Sequence, residues 1–374
     1  MQIRENVELA PLTTLKIGGP ARYYVEVSSL AELTKAITFA RDKRLPIYIL
    51  GGGSNVLVSD AGFAGLIIKP NIQGRKLLSE EDGPPPNQLA HIRVGAGESL
   101  DSLIAWCVGE GWWGLENMSY IPGTVAGAVM QNAGAYGQEI AEVIESIEAF
   151  DMLNGKSLML NVGECNFTYR HSIFNTDQKG RYIILNVNLV LNKFGTPNLK
   201  YKDLTNFFAP LRQGFAGQAD ISQKEVRSAI IEIRKSKGQD WVALPSAGSF
   251  FSNFQLTGQE FESLCEKIES EFSKEKSSEL RDLVEKVKTP SDFKAGKIKL
   301  PSAWILDQLL GLKGYVHNER VRVSPYHALN LINTGGATAR DMMNLFNYLK
   351  DLVYKRTGLV LVNEPDFVGP GFGH

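Results

Sequence analysis

Five stretches of this chain hold residue types that could do chemistry. Residues 121–137 read IPGTVAGAVMQNAGAYG, with no charge, four glycines, four alanines and one proline. Glycine has no Cβ and permits φ > 0, so such a run can approach a flat ligand closely. It can also turn main-chain N–H groups toward phosphates. A buried strand is the alternative, but that density of glycine would weaken it. Residues 50–56, LGGGSNV, follow a short apolar strand, which is where phosphate loops sit. No Gly-Lys-Ser/Thr follows, so this is not a P-loop. Nor is it a dinucleotide fingerprint, since Val56 replaces the third glycine, and Gly95-Ala96-Gly97 fails likewise. Alone it reads as a tight turn. Beside a second uncharged glycine run, two walls of one cofactor site are the better reading.

The other three stretches offer charge and protons. Tyr169-Arg170-His171-Ser172-Ile173-Phe174 sets an arginine among apolar neighbours. Its planar, permanent charge suits a carboxylate or a developing oxyanion, and a surface salt bridge is the common alternative. Ala247-Gly248-Ser249-Phe250-Phe251-Ser252-Asn253 lacks the GxSxG elbow, which argues against a hydrolase triad. The Ser249 hydroxyl in a dry aromatic pocket could protonate a carbanion-like centre; a cap or turn role is the alternative. In Val362-Asn363-Glu364-Pro365-Asp366-Phe367 a carboxylate late in an apolar strand needs a partner or a function. Either Glu364 or Asp366 could be that group.

The elements that must position these residues are mixed. YYVEVS reads as a strand, LAELTKAITFARDKR as a helix, and LPIYIL, NVLVSD and GLIIKP as strands, a βαβ pattern with a glycine turn after its second strand. From 71 to 195 strands dominate (HIRVGAGE, VIESIEAFDML, KSLMLNV, YIILNVNLVLN), interrupted by a helix at 99–110 and the glycine run. Further helices are expected at 225–235, 301–312 and 339–356, and one or two solvated amphipathic helices over 259–288. LVLVNEPDFVG is expected to close the fold as a strand. No internal repeat is evident.

Composition narrows the function class. The 374 residues suggest two or three domains of roughly 150 residues. Apolar content of 43% fits a soluble globular core. Forty Lys+Arg balance 41 Asp+Glu, which leaves no electrostatic footprint for nucleic acid or an anionic membrane. No signal-peptide h-region and no run of about 18 apolar residues is present. Cys107, Cys165 and Cys265 form neither a disulfide framework nor a CxxC pair, and the five histidines show no HExxH spacing. A cytoplasmic, metal-free protein is expected.

Taken together, LGGGSNVLVSD (50–60), GLENMSYIPGTVAGAVMQNAGAYGQEI (114–140), YRHSIF (169–174), AGSFFSN (247–253), AWILDQLLGLKG (303–314), HALNLIN (327–333) and NEPDFVG (363–369) resemble the UDP-N-acetylenolpyruvoylglucosamine reductase family over nearly the whole chain. The resemblance implies an α+β fold: an FAD-binding unit of the vanillyl-alcohol-oxidase (PCMH) type followed by an α/β substrate-binding domain. Expected boundaries are 1–70 for a first flavin subdomain, 71–237 plus 357–374 for a second, and 238–356 for substrate, with a charged insertion at 255–300. The activity implied is NADPH-dependent, FAD-mediated reduction of an enolpyruvyl sugar nucleotide to UDP-N-acetylmuramate for peptidoglycan, in a ping-pong cycle. Hydride passes from flavin N5 to the vinyl carbon. The implied state is a cytoplasmic monomer or weak oligomer with a small-molecule partner only. No histidine lies in either glycine run, so non-covalent FAD is expected.

The resemblance also implies roles for single residues. Gly51, Gly52, Gly53, Ser54, Asn55 and Val56, with Ile121, Pro122, Gly123, Thr124 and Gly127, match the stretches that hold the FAD pyrophosphate and ribityl chain. Asn132, Gly134, Ala135 and Tyr136 continue that wall. Arg170 matches the enolate-stabilising arginine, Ser249 the serine that protonates the α-carbon, and Glu364 the catalytic glutamate. Tyr201 matches the tyrosine of a loop that folds over the UDP moiety. Lys237 and Asn253 match polar contacts near the diphosphate, His327 stands at a glutamine-or-histidine position, and Tyr169 is expected near flavin and substrate. Phe254 replaces a family proline, and residues 255–300 are longer than the family needs.

Overall fold

A computed structural model describes residues 1–84, 88–213, 221–287 and 296–372. Residues 288–295 of the expected charged insertion, and short parts of the expected second flavin subdomain, lie outside the described residues. The chain forms two compact units. The first comprises residues 1–7, 20–53 and 63–236, the second residues 8–19, 54–62 and 237–374.

In the first unit a four-stranded sheet runs in the order Arg4–Glu8, Pro20–Val27, Phe63–Pro70, Ile47–Ile49, with Phe63–Pro70 parallel to both of its neighbours. Helix Leu30–Asp42 packs Leu33, Ala36, Ile37 and Ala40 onto it, and the Ser29 hydroxyl caps its first turn by accepting from the Glu32 N–H. A five-stranded antiparallel sheet follows in the order Lys156–Asn161, Ile144–Asp151, Tyr182–Asn192, Leu89–Gly95, Arg75–Glu81. Strand Leu89–Gly95 alternates as a one-face strand should, burying Ala90, Ile92 and Val94 against helix Leu100–Glu110. The unbroken apolar run at the start of Tyr182–Asn192 has a different cause. Ile184 faces that same core, while Ile183 and Leu185 face the core of helix Leu30–Asp42, so both sides of the strand are covered.

In the second unit a three-stranded sheet (Ser246–Ser249, Asn330–Asn333, Val321–Val323) packs with helices Gly258–Glu271, Lys274–Val287 and Ala339–Thr357 around one apolar core. The short strand Asp366–Val368 pairs in parallel with Val56–Val58. That pairing places residues 357–374 with this unit, whereas the sequence grouped them with the second flavin subdomain.

Several elements differ from expectation for clear reasons. LVLVNEPDFVG is a strand only over Asp366–Val368, because its partner is three residues long and Pro365 offers no N–H. Residues 301–312 form a single turn, Ser302–Trp304, that widens into a π-helical turn at Ile305–Leu309. Edge strand Arg75–Glu81 was not foreseen: its residues are nearly all exposed, so it carries no apolar alternation. Helix Lys202–Gln213 was hidden by Pro210, which lies inside it.

Helix Ala339–Thr357 has a remote cap. Besides the Thr338–Asp341 capping box, Asp60 accepts from the Ala339 N–H at 2.6 Å and the Arg340 N–H at 3.0 Å. A carboxylate on two N-terminal amides meets both the unpaired donors and the helix dipole. Asp60→Ala is expected to lower stability by about 1–2 kcal/mol, read as a lower urea midpoint; an unchanged midpoint would show that the Thr338 box suffices alone.

Candidate active site

The two glycine runs meet in the first unit, main chain to main chain. A Cβ on Gly52 would stand 2.5 Å from the Gly123 Cα, and one on Gly51 3.1 Å from the Thr124 hydroxyl. No side chain fits between them, and Gly53 takes φ +63°. The second run is not all loop. Helix Val125–Met130 begins inside it, capped by the Thr124 Oγ1, which accepts from the Gly127 N–H at 3.2 Å. Its start is pinned by Leu100 N–H to the Gly123 carbonyl, Val125 N–H to Glu98 and Ala126 N–H to Ala96. Ile121 and Pro122 lead into that turn, half-buried. A cradle made of uncharged main chain fits the diphosphate and ribityl chain of a flavin cofactor. Ser54, Asn55 and Val56 belong to the second unit, where Asn55 donates its amide to the Glu364 carbonyl and accepts the Asp366 N–H.

Further along the second run, Asn132 is a structural post. It is buried, and its amide group bonds Glu139 (2.7 Å), the Thr168 carbonyl (2.9 Å) and the Ala141 N–H (3.3 Å). Arg170 joins the same wall. Its guanidinium donates to the Gly134 carbonyl at 3.0 Å and the Asn132 carbonyl at 3.4 Å, and lies over the Tyr169 ring at 5.5 Å. Ser172, not singled out in the sequence, adds a tether by donating to the Met130 carbonyl at 2.7 Å. Arg170 and the glycine run are thus brought together within one unit. Tyr136 and Tyr201 also meet, edge to face at 5.2 Å, while Ala135 packs beside Tyr136.

In the second unit Ser249 and Glu364 sit on adjoining segments. Ser249 ends strand Ser246–Ser249 in register with Asn330, just after Gly248 at φ +74°. The next residue, Phe250, gives its N–H to the Leu329 carbonyl, and its own carbonyl accepts the Glu364 N–H at 3.0 Å. Phe250 and Phe251 are fully buried against Phe346 and Phe367, with centroids 5.7–6.2 Å apart. Ser249 and Glu364 themselves stay half-buried. Asp366 instead lies in the ladder opposite Val56. Asn253 accepts the Ser302 N–H at 3.2 Å and so anchors the following short helix; Phe254, at the family's proline position, pairs in register with Leu300.

Lys237 and His327 are neighbours in the same unit. Between them Gly238, at φ +64°, packs so closely on Tyr326 that a Cβ would stand 2.2 Å from the ring. Burial pulls the His327 pKa down, Lys237 and Lys313 lower it further, and Asp307 opposes. Its Nδ1 accepts the Leu329 N–H at 3.3 Å, which leaves Nε2 as the protonated nitrogen of the neutral ring. The three cysteines are unpaired and buried; burial pushes the Cys107 thiol up to about 12 and the Cys165 thiol to about 11, outside the reactive range. A cavity of about 500 Å³ beside Trp106, Trp112, Lys193 and Phe194 holds none of the candidate residues. Among the described residues no helix is long and apolar enough to cross a membrane.

Comparison with known proteins agrees with this layout. A family profile described as FAD binding domain matches residues 21–161. A second, described as UDP-N-acetylenolpyruvoylglucosamine reductase, C-terminal domain, matches residues 239–368. The chain is 33% identical over 374 residues to the UDP-N-acetylenolpyruvoylglucosamine reductase of Thermobifida fusca (strain YX), covering 97% of each chain. It is 35% identical over 370 residues to that of Amoebophilus asiaticus (strain 5a2), covering 98% of this chain and 100% of the relative. The crystal structure of UDP-N-acetylenolpyruvylglucosamine reductase from Thermus caldophilus shares the fold, with a TM-score of 0.63 at 24% identity over 98% of this chain and 100% of that one.

His327 generates a prediction with a definite sign. Its folded pKa lies below the unfolded value of about 6.5, so the unfolded chain binds more protons just below that pH. This contribution leaves stability intact above about pH 6.5 and erodes it as pH falls toward the folded pKa. His327→Gln is expected to flatten that acid-side slope in urea midpoints taken between pH 5 and 8; an identical slope would contradict it.

Proposed function

The chain belongs to the UDP-N-acetylenolpyruvoylglucosamine reductase family of FAD-dependent oxidoreductases, and on that premise we propose that it reduces UDP-N-acetyl-3-O-(1-carboxyvinyl)-glucosamine to UDP-N-acetylmuramate with NADPH as reductant. Non-covalently bound FAD supplies the hydride-transfer chemistry. Gly51, Gly52, Gly53, Ile121, Pro122, Gly123, Thr124 and Gly127 hold it through main chain and one hydroxyl, with Ser54, Asn55 and Val56 completing the first loop. The observation that carries the reading is the meeting of Gly52 and Gly123 without room for a Cβ.

The remaining roles fall to side chains whose positions are set in advance. Addition of hydride to the vinyl carbon leaves negative charge spread over the α-carbon and its carboxylate. Arg170 steadies that charge. Its orientation is fixed by two main-chain carbonyls before substrate arrives, so little reorganisation is needed at the transition state. Ser249 then gives its proton to the α-carbon. A hydroxyl is a weak acid in water, and only water exclusion and fixed hydrogen bonds make the transfer competent. The buried Phe250 and Phe251 hold the main chain beside it rigid.

Glu364 is the carboxylate assigned to the reaction in preference to Asp366. Its main-chain amide bonds the residue directly after Ser249, which sets Glu364 beside the serine's segment, whereas the main chain of Asp366 lies in the ladder with Val56. Tyr169, Tyr201, Lys237, Asn253 and His327 bind the sugar nucleotide. Lys237 supplies charge for the diphosphate, and the neutral His327 ring supplies an N–H donor.

The test is rapid-mixing kinetics on Ser249→Ala. Flavin bleaching by NADPH is expected to stay largely intact, while reoxidation by the enolpyruvyl sugar nucleotide slows by about 10²–10⁴-fold. Equal loss in both half-reactions would make Ser249 structural. Failure of the sugar nucleotide to reoxidise the wild-type flavin would overturn the reading itself.

A further inference from the structure

Tyr120 is the last residue before the turn at residues 121–124, and it takes φ +64°. A residue with a side chain is uncommon there, and its surroundings must hold it in place. The far end of the turn is pinned through main chain: the Leu100 N–H meets the Gly123 carbonyl at 3.1 Å, and Ser99 bridges to Thr124. At the entry the main-chain bond from the Ile121 N–H to the Met118 carbonyl is long, at 3.4 Å. A carboxylate supplies the short contact.

Asp101 accepts the Tyr120 N–H at 2.6 Å. The same carboxylate takes both prongs of the Arg227 guanidinium, from helix Gln223–Ser236, at 2.6 and 3.0 Å. A planar fork of this kind fixes where a carboxylate points. The Asp101 and Arg227 side chains are only 26% and 17% exposed, so salt screens them less than a surface pair. Burial works against charge on Asp101, but the bonds from Arg227 and Tyr120 outweigh it and hold the carboxyl below its ordinary pKa. Lys235 of the same helix lies over the Tyr120 ring at 5.4 Å.

An acid in the first turn of a helix ordinarily serves that helix. Glu225, Glu260 and Asp341 do so, each accepting the backbone N–H of the residue that precedes its own helix. Helix Leu100–Glu110 is capped instead by the Ser99 hydroxyl, which accepts the Ser102 N–H. Its first-turn acid, Asp101, turns to Tyr120 and Arg227.

We propose that Asp101 is a positioning residue for FAD: oriented by Arg227, it holds Tyr120 at positive φ and so keeps the turn at residues 121–124 shaped before the cofactor arrives. The inference rests on the proposed function, in which that turn holds FAD. All three residues lie in the first unit. A turn shaped in advance binds more tightly because less ordering is left for the binding step.

The experiment titrates FAD into the full apo chain carrying Asp101→Ala in two backgrounds, wild type and Tyr120→Gly, with circular dichroism to verify folding. In the wild-type background Asp101→Ala is expected to weaken the FAD Kd by about tenfold, the scale on which a side-chain-bearing residue is disfavoured at positive φ. In the Tyr120→Gly background the same change costs no more than about twofold, because glycine takes positive φ without help. Hydrogen exchange gives a second readout: amides over 120–124 exchange faster in apo Asp101→Ala, while those of strand Leu89–Gly95 do not change. A wild-type Kd for Asp101→Ala, an equal loss in both backgrounds, or unchanged exchange over 120–124 would overturn the inference and leave the reductase reading standing. If Asp101→Ala does not fold, Arg227→Met, which keeps the carboxylate and removes what orients it, carries the same criteria through the same cycle. Wild-type apo protein that fails to bind FAD would overturn the inference together with the cofactor reading beneath it.

Discussion

The contact on which the rest depends is the approach of Gly52 to Gly123. Two main chains lie so close that a single carbon added to residue 52 would stand 2.5 Å from the facing Cα. Everything around it serves that proximity. The Gly123 carbonyl takes the Leu100 N–H, the next amides bond Glu98 and Ala96, and Thr124 turns the chain at once into helix Val125–Met130. The wall is firm because its hydrogen bonds are local and paired, and it is thin because it has no side chains. Arg170 then borrows this firmness, since the carbonyls that hold its guanidinium belong to the same run.

The second unit reaches rigidity by the opposite route. Around Ser249 and Glu364 it uses large rings, not missing ones: Phe250, Phe251, Phe346 and Phe367 pack as a buried group, and the segments carrying the two polar residues are stitched across it. A bare main chain suits a cofactor that must be approached closely. A proton donor needs the other condition, a fixed and dry setting. In the proposed function the two units divide these demands between them.

How much of this could be read from the sequence follows from how local each cause is. The glycine runs stand out because absent charge and absent side chains are visible in the letters, and strand Leu89–Gly95 and helix Ala339–Thr357 because one face of each is apolar at the right period. Residue types alone reached a flat, phosphorylated ligand; the motif resemblance supplied the flavin and the sugar nucleotide. Asp60 capping a helix 279 residues away leaves no local trace. Nor does Asn132, whose polar letter suggests a ligand contact while its amide is used to brace the wall.

The central claim is that the glycine contact brings the two loops together to hold the cofactor's diphosphate, and it is tested most directly by titrating FAD into apo Gly52→Ala and wild-type protein, with circular dichroism to verify that both are folded. The account predicts a folded variant whose FAD dissociation constant is weaker by at least about tenfold, because the added methyl group forces the two walls apart. A folded Gly52→Ala protein that binds FAD as tightly as wild type would contradict it.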